Sequence, residues 1–411
     1  MKHEPIAITG RGVVSTLGTT PEALADGLEA GRSGITRWKE MDPRIYSKIG
    51  GDLSGFDLAG FLADQGAPER VSHVLRGVPP ATAMAAAAAL DAARDADVSG
   101  VAPERLGHVI GCHNAHVKGH QVNAQILEEE PDFLEPLFGL WGFDTDIASA
   151  IAEVLTARGP VFTVGGACAS SNLSICAAVD AIRAGRADAV VAGGVATSAS
   201  SLALQAWSHL EALSIQSFND RPTEASRPFD ADREGFVPSE GAAMVVLERR
   251  EHALARGARV YGWLLGTGAS SSATRHTRPD REGQVRAMRS ALSEAGLTGR
   301  DVDFVSAHAT STPKGDAVEA ESITEALDGH APPVNTPKSM LGHCLQGAAA
   351  IELVATLEQL RRGRLHGCAN LERPDVELDL AREVREVSAR VALSNSFGFG
   401  GLNSSVVVGA A

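Results

Sequence analysis

Val161-Phe-Thr-Val-Gly-Gly-Ala-Cys168-Ala-Ser-Ser-Asn172 is a β-branched run that breaks into a turn of small residues. Beyond it Ile175, Val179 and Ile182 recur at helical spacing, and Gly185 closes the pattern. Strand, sharp turn and helix in direct succession predict a nucleophile elbow, with cysteine where hydrolases place serine. Small neighbours let the backbone turn tightly and let a substrate approach the sulfur. The positive end of the helix dipole favours a thiolate, so the pattern predicts a lowered pKa for Cys168. The competing reading of Cys168 is a small buried hydrophobe, which is the reading given to Cys176 inside the helix.

Outward from this element, short β-branched runs alternate with Ala-rich segments. Strands are predicted at Ile6–Thr9, His108–Ile110, Val161–Val164, Ala189–Ala192, Ala243–Leu247, Val260–Leu265, Val302–Ala307 and Val406–Val408, with helices such as Ala81–Ala96 and Gln284–Ala295 between them. That alternation predicts a layered α/β fold. No Pro/Ser-rich linker or charge block cuts the chain. A weak internal repeat is visible. Ala85–Ala96 leads to Gly107-His-Val-Ile-Gly-Cys112-His much as Arg286–Ala295 leads to Val302-Asp-Phe-Val-Ser-Ala-His308. Helices Asn172–Arg183 and Ala348–Leu360 end alike, at Ala184-Gly-Arg186 and Arg362-Gly-Arg364. Two similar halves joined near residue 250 would send strand ends and helix N-termini to one face. Shared Ala-rich composition is the simpler alternative.

The 411 residues are 44% hydrophobic and 21% charged, with 43 Gly and 19 Pro, a globular composition that excludes disorder. Lys and Arg number 37 against 51 Asp and Glu, a formal charge of −14. That balance argues against nucleic-acid binding, whose affinity comes from neutralising phosphates. Cys112, Cys168, Cys176, Cys344 and Cys368 form no CxxC pair, and their odd number predicts reduced thiols in a cytoplasmic protein. Met1-Lys2-His3-Glu4-Pro5 carries no signal pattern. Ala83–Leu90 and Ala189–Ala196, the longest apolar stretches at eight residues each, fall far short of the roughly twenty that span a bilayer. The expectation is a soluble protein without membrane contact.

Three further motifs carry chemistry. In Ser306-Ala-His308-Ala-Thr310-Ser-Thr312-Pro313 an imidazole stands at the carboxyl end of a predicted strand, where open α/β sheets build sites, and two threonine hydroxyls follow. Asp316 and Glu319 read as a capping box for the next helix. In Asn335-Thr-Pro-Lys338-Ser-Met-Leu-Gly-His343-Cys-Leu-Gln-Gly347, Lys338 and His343 bracket a loop before a helix with Leu353, Leu357 and Leu360 inward. A surface lysine and a helix-capping histidine are the plain alternative there. Ser394-Asn-Ser-Phe397-Gly398-Phe399-Gly400-Gly401-Leu-Asn403 implies tight turns with backbone N–H groups free to face a ligand.

In order, spacing and context these motifs resemble the β-ketoacyl-acyl-carrier-protein synthases, the elongating ketosynthases of the thiolase superfamily. Ala7–Gly18, Arg227-Pro-Phe-Asp-Ala-Asp-Arg-Glu-Gly235, Ser239-Glu-Gly241 and Glu352 extend the resemblance nearly end to end. It implies a thiolase-like duplicated αβαβα five-layer α/β fold, with a nucleophile-bearing half over 1–253 and a histidine-bearing half over 254–411. It implies a Cys-His-His site of Cys168, His308 and His343, with Lys338 ordering it electrostatically and Glu352 as a supporting carboxylate. Backbone N–H groups of Cys168 and Phe399 would form an oxyanion hole, with Phe399 also a gate flanked by Gly398 and Gly400. Thr310 and Thr312 would contact a phosphopantetheine arm, and Cys112, His113 and Asn114 would line the acyl pocket. The implied reaction is decarboxylative condensation of an acyl-Cys168 with a malonyl-type thioester, needing no cofactor beyond the carrier's own arm. An acyl carrier protein is the implied partner, and a homodimer, or a heterodimer with a chain-length partner, the implied assembly.

The chain also departs from the family pattern. Leu402 stands where Thr is frequent, and Ser272 near a usual Asp. Gly111-Cys-His113-Asn114-Ala-His116 is polar where glycine and aliphatic residues are typical. A polar wall disfavours a plain alkyl chain, so a polar, unsaturated or otherwise unusual acyl group in specialised metabolism is expected. His113, His116 and His120 lack a completing ligand pattern, and no metal is expected there or at Cys168. An acidic carrier would need a local positive rim, for which Arg70, Arg76, Lys118, Arg275, Arg278 and Lys314 are candidates. Two rival functions are an acyltransferase that uses Cys168 without decarboxylation and a non-elongating partner subunit, which Cys168 argues against.

Overall fold

The computed structural model describes residues 4–196 and 200–411, so Met1–His3 of the N-terminal reading lie outside it. Ten strands carry the architecture: β1 (Ile6–Val14), β2 (Leu106–Gly111), β3 (Val161–Val164), β4 (Ala189–Val195), β5 (Ala242–Arg249), β6 (Gly262–Ser271), β7 (Phe304–Ser306), β8 (Val334–Asn335), β9 (Val391–Gly398) and β10 (Leu402–Ala410). The helices that matter for the site are α1 (Pro80–Asp95), α2 (Val117–Glu129), α3 (Thr145–Leu155), α4 (Ser170–Arg183), α5 (Arg281–Ala295), α6 (Pro313–Ala326) and α7 (Ala348–Arg362).

The strands form one mixed sheet in the order β8-β7-β9-β10-β6-β1-β5-β4-β2-β3. Counted within each run of five, the order is third, second, fourth, fifth, first on both sides of the β1–β6 junction. Pairing directions repeat as well. The first strand is antiparallel to the fifth and the fifth to the fourth, while the fourth, second and third run parallel. The repeat extends to single residues. A Cβ on Gly10 or Gly12 of β1 would meet the carbonyls of Ala92 and Ala88 of α1 at 2.1 Å. On Gly266 or Gly268 of β6 it would meet those of Ala291 and Ala287 of α5 at 2.2 and 2.0 Å. Glycine on the strand and alanine on the helix are what allow so close an approach.

Strand alternation sorts side chains into layers. Met244 and Val246 of β5 pack with α1 and α3, whereas Val245 and Leu247 pack on α4 and α7. Val406 and Val408 of β10 face that same central pair from the other side, and Val407 faces α5 and α6. The result is helices, sheet, helices, sheet, helices, with the sheet continuous across a short β1–β6 pairing at Ile6–Ile8 and Gly262–Leu264. Several elements differ from the sequence expectation. The β strand at Val391–Gly398 was not foreseen, because its Ser394-Asn395-Ser396 stretch looks like turn sequence yet is fully buried. The strand expected over Val260–Leu265 begins at Gly262 and runs on to Ser271. Among the described residues no helix is long and apolar enough to cross a membrane.

Candidate active site

Parallel strands of both halves end on one face. Strand β3 passes through Gly165-Gly166 into a single turn, Ala167–Ala169, and α4 begins at Ser170. Ala167 holds φ +49°, a left-handed conformation that costs a non-glycine residue about 1 kcal/mol or more. The turn is braced by the Ser170 hydroxyl, which accepts from the Gly166 N–H at 2.9 Å and donates to the Ala167 carbonyl at 2.6 Å. This is the elbow expected from the sequence, and it sets Cys168 at the mouth of α4. Its carbonyl accepts from the Ser396 hydroxyl of β9 at 2.8 Å.

Strand β7 leads to His308, and β8 leads through Lys338 to His343. Both imidazoles are buried. One side-chain donor atom from each of Cys168, His308 and His343 lies within 4.8 Å of the others. The two rings meet edge to face with centroids 5.4 Å apart. The His343 backbone is pinned by Val237, whose carbonyl accepts its N–H at 2.7 Å, and by Ser239, whose N–H donates to its carbonyl at 2.9 Å. The Phe236 ring lies edge-on to His343 at 5.4 Å and to Phe399 at 6.4 Å. Both ring nitrogens of His343, and Nδ1 of His308, are buried without a protein partner.

Burial dominates the electrostatics. It pushes both histidines well below the ordinary imidazole value, helped by the positive charge of Lys338, so the rings are neutral at pH 7. Cys168 is half-buried as a residue, and the protein packed around its sulfur pushes the thiol up to about 11. The Lys338 charge and the backbone N–H groups of Phe399 and of Cys168 itself pull the other way. The lowered pKa expected from the helix terminus is thus overturned, because desolvating the sulfur outweighs the donors aimed at it. Lys338 is itself buried and paired with Glu352 of α7, which excludes a surface lysine. Burial raises Glu352 to about 7, against the pull of Lys338.

Other expectations fare unevenly. Asp316 and Glu319 do not form a capping box: Thr312 precedes α6 without a side-chain cap, and both carboxylates are buried. Glu319 accepts the backbone N–H groups of His308 at 2.7 Å and Ala309 at 2.6 Å, so it holds the turn that aims His308. Asp316 accepts the Phe229 N–H at 2.9 Å. The Thr310 and Thr312 hydroxyls lie 3.1 Å apart on that turn. Arg227–Arg233 clamps it from outside, through Arg227 N–H to Ser311 Oγ at 3.0 Å and Arg233 Nη2 to the Pro313 carbonyl at 2.9 Å. Gly398 packs against the elbow, whereas Gly400 and Gly401 turn the β9–β10 hairpin at φ +82° and +72°.

Cys112 is buried, His113 is half-buried against Gln346, and Asn114 is exposed. Cys176, expected to be buried, is only half-buried, with Sγ 3.8 Å from Ser404 Oγ. His116 and His120 lie edge-on to Trp141 and Phe138, and among the described residues they join no cluster of potential ligands. Of the basic rim candidates, Arg70 donates to the carbonyls of Glu153 and Val154, and Lys118 pairs with Glu40 at 3.3 Å. The roles of Gln346, Phe236 and Glu319 are hidden from the sequence, although Gln346 and Glu319 lie within recognisable motifs, since each depends on what the fold brings alongside.

Residues 3–253 match the model for the N-terminal domain of beta-ketoacyl synthases, and residues 261–372 match that for the C-terminal domain. The chain belongs to the β-ketoacyl synthase family. This ketosynthase is 34% identical to 3-oxoacyl-[acyl-carrier-protein] synthase 2 of Vibrio cholerae over 99% of each chain. It superposes on the ishigamide ketosynthase/chain length factor with a TM-score of 0.89 and 29% identity, covering 99% of both chains. A type II polyketide-synthase ketosynthase, solved with its acyl-carrier protein and bound to the hexaketide, gives a TM-score of 0.87 at 27% identity over 99% of both chains. The ketosynthase is accordingly a condensing enzyme, a transferase of fatty-acid or polyketide biosynthesis.

Proposed function

We propose that the enzyme joins an acyl group held on Cys168 to a malonyl-type thioester delivered by an acyl carrier protein. The observation that carries this reading is the meeting of Cys168 with two neutral, unpartnered imidazoles within 4.8 Å. In the first step the sulfur attacks the carrier thioester carbonyl, the bond to the pantetheine sulfur breaks, and the thiol proton leaves with that sulfur. The Lys338 charge and the N–H groups of Phe399 and Cys168 favour the thiolate against the burial that disfavours it. In the second step the malonyl carboxylate departs as carbon dioxide, and its electron pair becomes an enolate. Neutral His308 and His343 can each donate one N–H to the thioester oxygen as that charge develops. The enolate carbon attacks the acyl carbonyl, whose oxyanion faces the N–H groups of Phe399 and Cys168. Collapse expels the Cys168 sulfur, which regains a proton from solvent.

The Lys338 charge adds to burial in holding both rings neutral and draws the thiol down, and Glu352 pairs with it. The threonine pair at 310 and 312 lies on the same strap as His308, where a phosphopantetheine arm would enter. The two-unit division at 1–253 and 254–411 and a homodimer belong to the same reading. Support for the dimer comes from the sheet edge, where β3 leaves Val161 and Phe162 exposed at 50% and 40%. The polar stretch at Cys112–Asn114 supports a functionalised acyl group over a plain long alkyl chain.

Intact-mass analysis after incubation with acyl carriers is the test. An acyl adduct is expected on the wild type and none on Cys168→Ala, with carbon dioxide released from a malonyl carrier. Adduct without carbon dioxide release would favour simple acyl transfer, and absence of any adduct would overturn the reading.

A further inference from the structure

Gln346 lies in the turn Leu345–Gly347 that follows His343, and it is 5% exposed. Its Nε2 reaches the His113 carbonyl at 3.3 Å and the His113 Nε2 at 3.2 Å. A carbonyl oxygen can only accept, so the amide nitrogen must face His113 and the orientation of the side chain is fixed. Its Oε1 is then left buried with no protein partner. His113 stands over the approach to the elbow, since a Cβ on Gly165 would touch its Cβ at 3.4 Å. The next residue, Asn114, lies on the rim of a cavity of about 490 Å³ lined by Val117, His120, Phe143 and Leu202. The turn that carries Gln346 packs directly against the elbow turn Ala167–Ala169 that carries Cys168, so the polar couple lies beside the nucleophile.

We propose that Gln346, anchored by His113, selects acyl chains bearing a hydroxyl group close to the thioester over plain alkyl chains. This rests on the condensing-enzyme reading and adds which acyl groups Cys168 accepts. An alkyl chain packed against this point returns no hydrogen bond to Oε1 and leaves a buried acceptor unsatisfied. A hydroxyl donates to Oε1 and restores the bond. A carboxylate-bearing chain gains nothing there, because it offers no donor and Asp144 accepts the Asn114 and Ala115 N–H groups next door. His113 is a positioning residue: it aims the amide and need not touch the chain.

The test is single-turnover acylation of Cys168, read by intact mass, with pantetheine thioesters of one chain length in saturated, 3-hydroxy and 3-methoxy forms. The hydroxy form is expected to acylate the wild type about tenfold faster than the saturated one, and the methoxy form, which cannot donate, to lose that advantage. In Gln346→Leu the hydroxy-to-saturated ratio should fall toward one, and in His113→Leu it should fall part of the way. A wild-type ratio of one, or a methoxy chain as good as the hydroxy chain, overturns the proposal even if Gln346→Leu fails to fold. An undiminished ratio in a folded Gln346→Leu does the same. Equal acylation by all three leaves the condensing-enzyme reading standing, whereas no acylation by any of them overturns both.

Discussion

Replacing Gly398 by alanine adds one methyl group where the β9–β10 hairpin lies on the elbow. That Cβ would sit 2.7 Å from the Gly166 carbonyl oxygen, 3.0 Å from Ala167 Cβ and 3.2 Å from the Cys168 nitrogen. Two of these neighbours are backbone and cannot rotate away, so the hairpin must retreat from the elbow by several tenths of an ångström. The retreat carries the Phe399 N–H away from the sulfur. Deleting one oxyanion donor outright costs about 2.7–4 kcal/mol, or about 10²–10³ in rate. A donor that is displaced rather than deleted should cost somewhat less, about tenfold to a hundredfold in acylation. Overpacking should lower stability by about 1–3 kcal/mol. Gly400→Ala is the control. Its φ of +82° also disfavours alanine, but a Cβ there meets nothing within 4 Å, so it should cost about 1 kcal/mol of stability without moving Phe399. The assay is quenched-flow acylation under saturating thioester, paired with urea denaturation of both variants. Acylation of Gly398→Ala within about threefold of wild type, or equal slowing in Gly400→Ala, would refute the argument that this contact sets the donor.

Three further outcomes are expected. Alkylation of Cys168 by iodoacetamide should climb about tenfold per pH unit from neutrality to beyond pH 9, because burial holds the thiol near 11. A plateau below pH 9 would show that the helix terminus wins after all. Glu352→Gln leaves the Lys338 charge buried without its counter-ion and should cost about 3–5 kcal/mol in urea denaturation, and a loss under about 1 kcal/mol would mean that water reaches the pair. Glu319→Gln offers one acceptor oxygen to the two N–H groups of His308 and Ala309. It should destabilise by about 1.5–3 kcal/mol and slow malonyl decarboxylation more than Cys168 alkylation. Equal effects on both rates would deny Glu319 a role in aiming His308.

What was legible in the sequence is what local pattern determines. The elbow at Val161–Asn172 announces itself because a β-branched run, a small-residue turn and a helical period occur in immediate succession. His308 is visible because a strand ends on it. Local pattern misleads wherever the partner is distant. An acidic residue near the start of a helix looks like a cap, and only the fold shows Glu319 turned back onto the His308–Ala309 turn that follows β7. Ser394-Asn395-Ser396 looks like a surface turn because its polar groups find partners far along the chain. Ser396 donates to the Cys168 carbonyl, and Asn395 accepts from Ser405 Oγ at 2.8 Å and approaches Glu319 at 3.4 Å. The direction of the thiol's shift is hidden from the sequence for the same reason. A helix terminus can be read from sequence, but the degree of desolvation depends on everything packed around the sulfur.

The repeated strand order explains why neither run of five strands can hold the site alone. In each, the third strand hands over to a turn before a central helix, and the first such turn carries Cys168 while the second carries His343. Each residue is held by the opposite half. Cys168 is braced by Ser396 and meets the Phe399 N–H, both from the second run, whereas His343 is clamped through its backbone by Val237 and Ser239, from the first. The coupling has an energetic consequence. Backbone hydrogen bonds across a packed interface resist displacement far better than a long side chain does, so the spacing of sulfur and imidazoles is tied to the packing of the halves. A substitution in the interior of α4 or α7 that shifts one helix by a fraction of an ångström should therefore impair the chemistry before it unfolds the protein, even where it touches none of the three side chains.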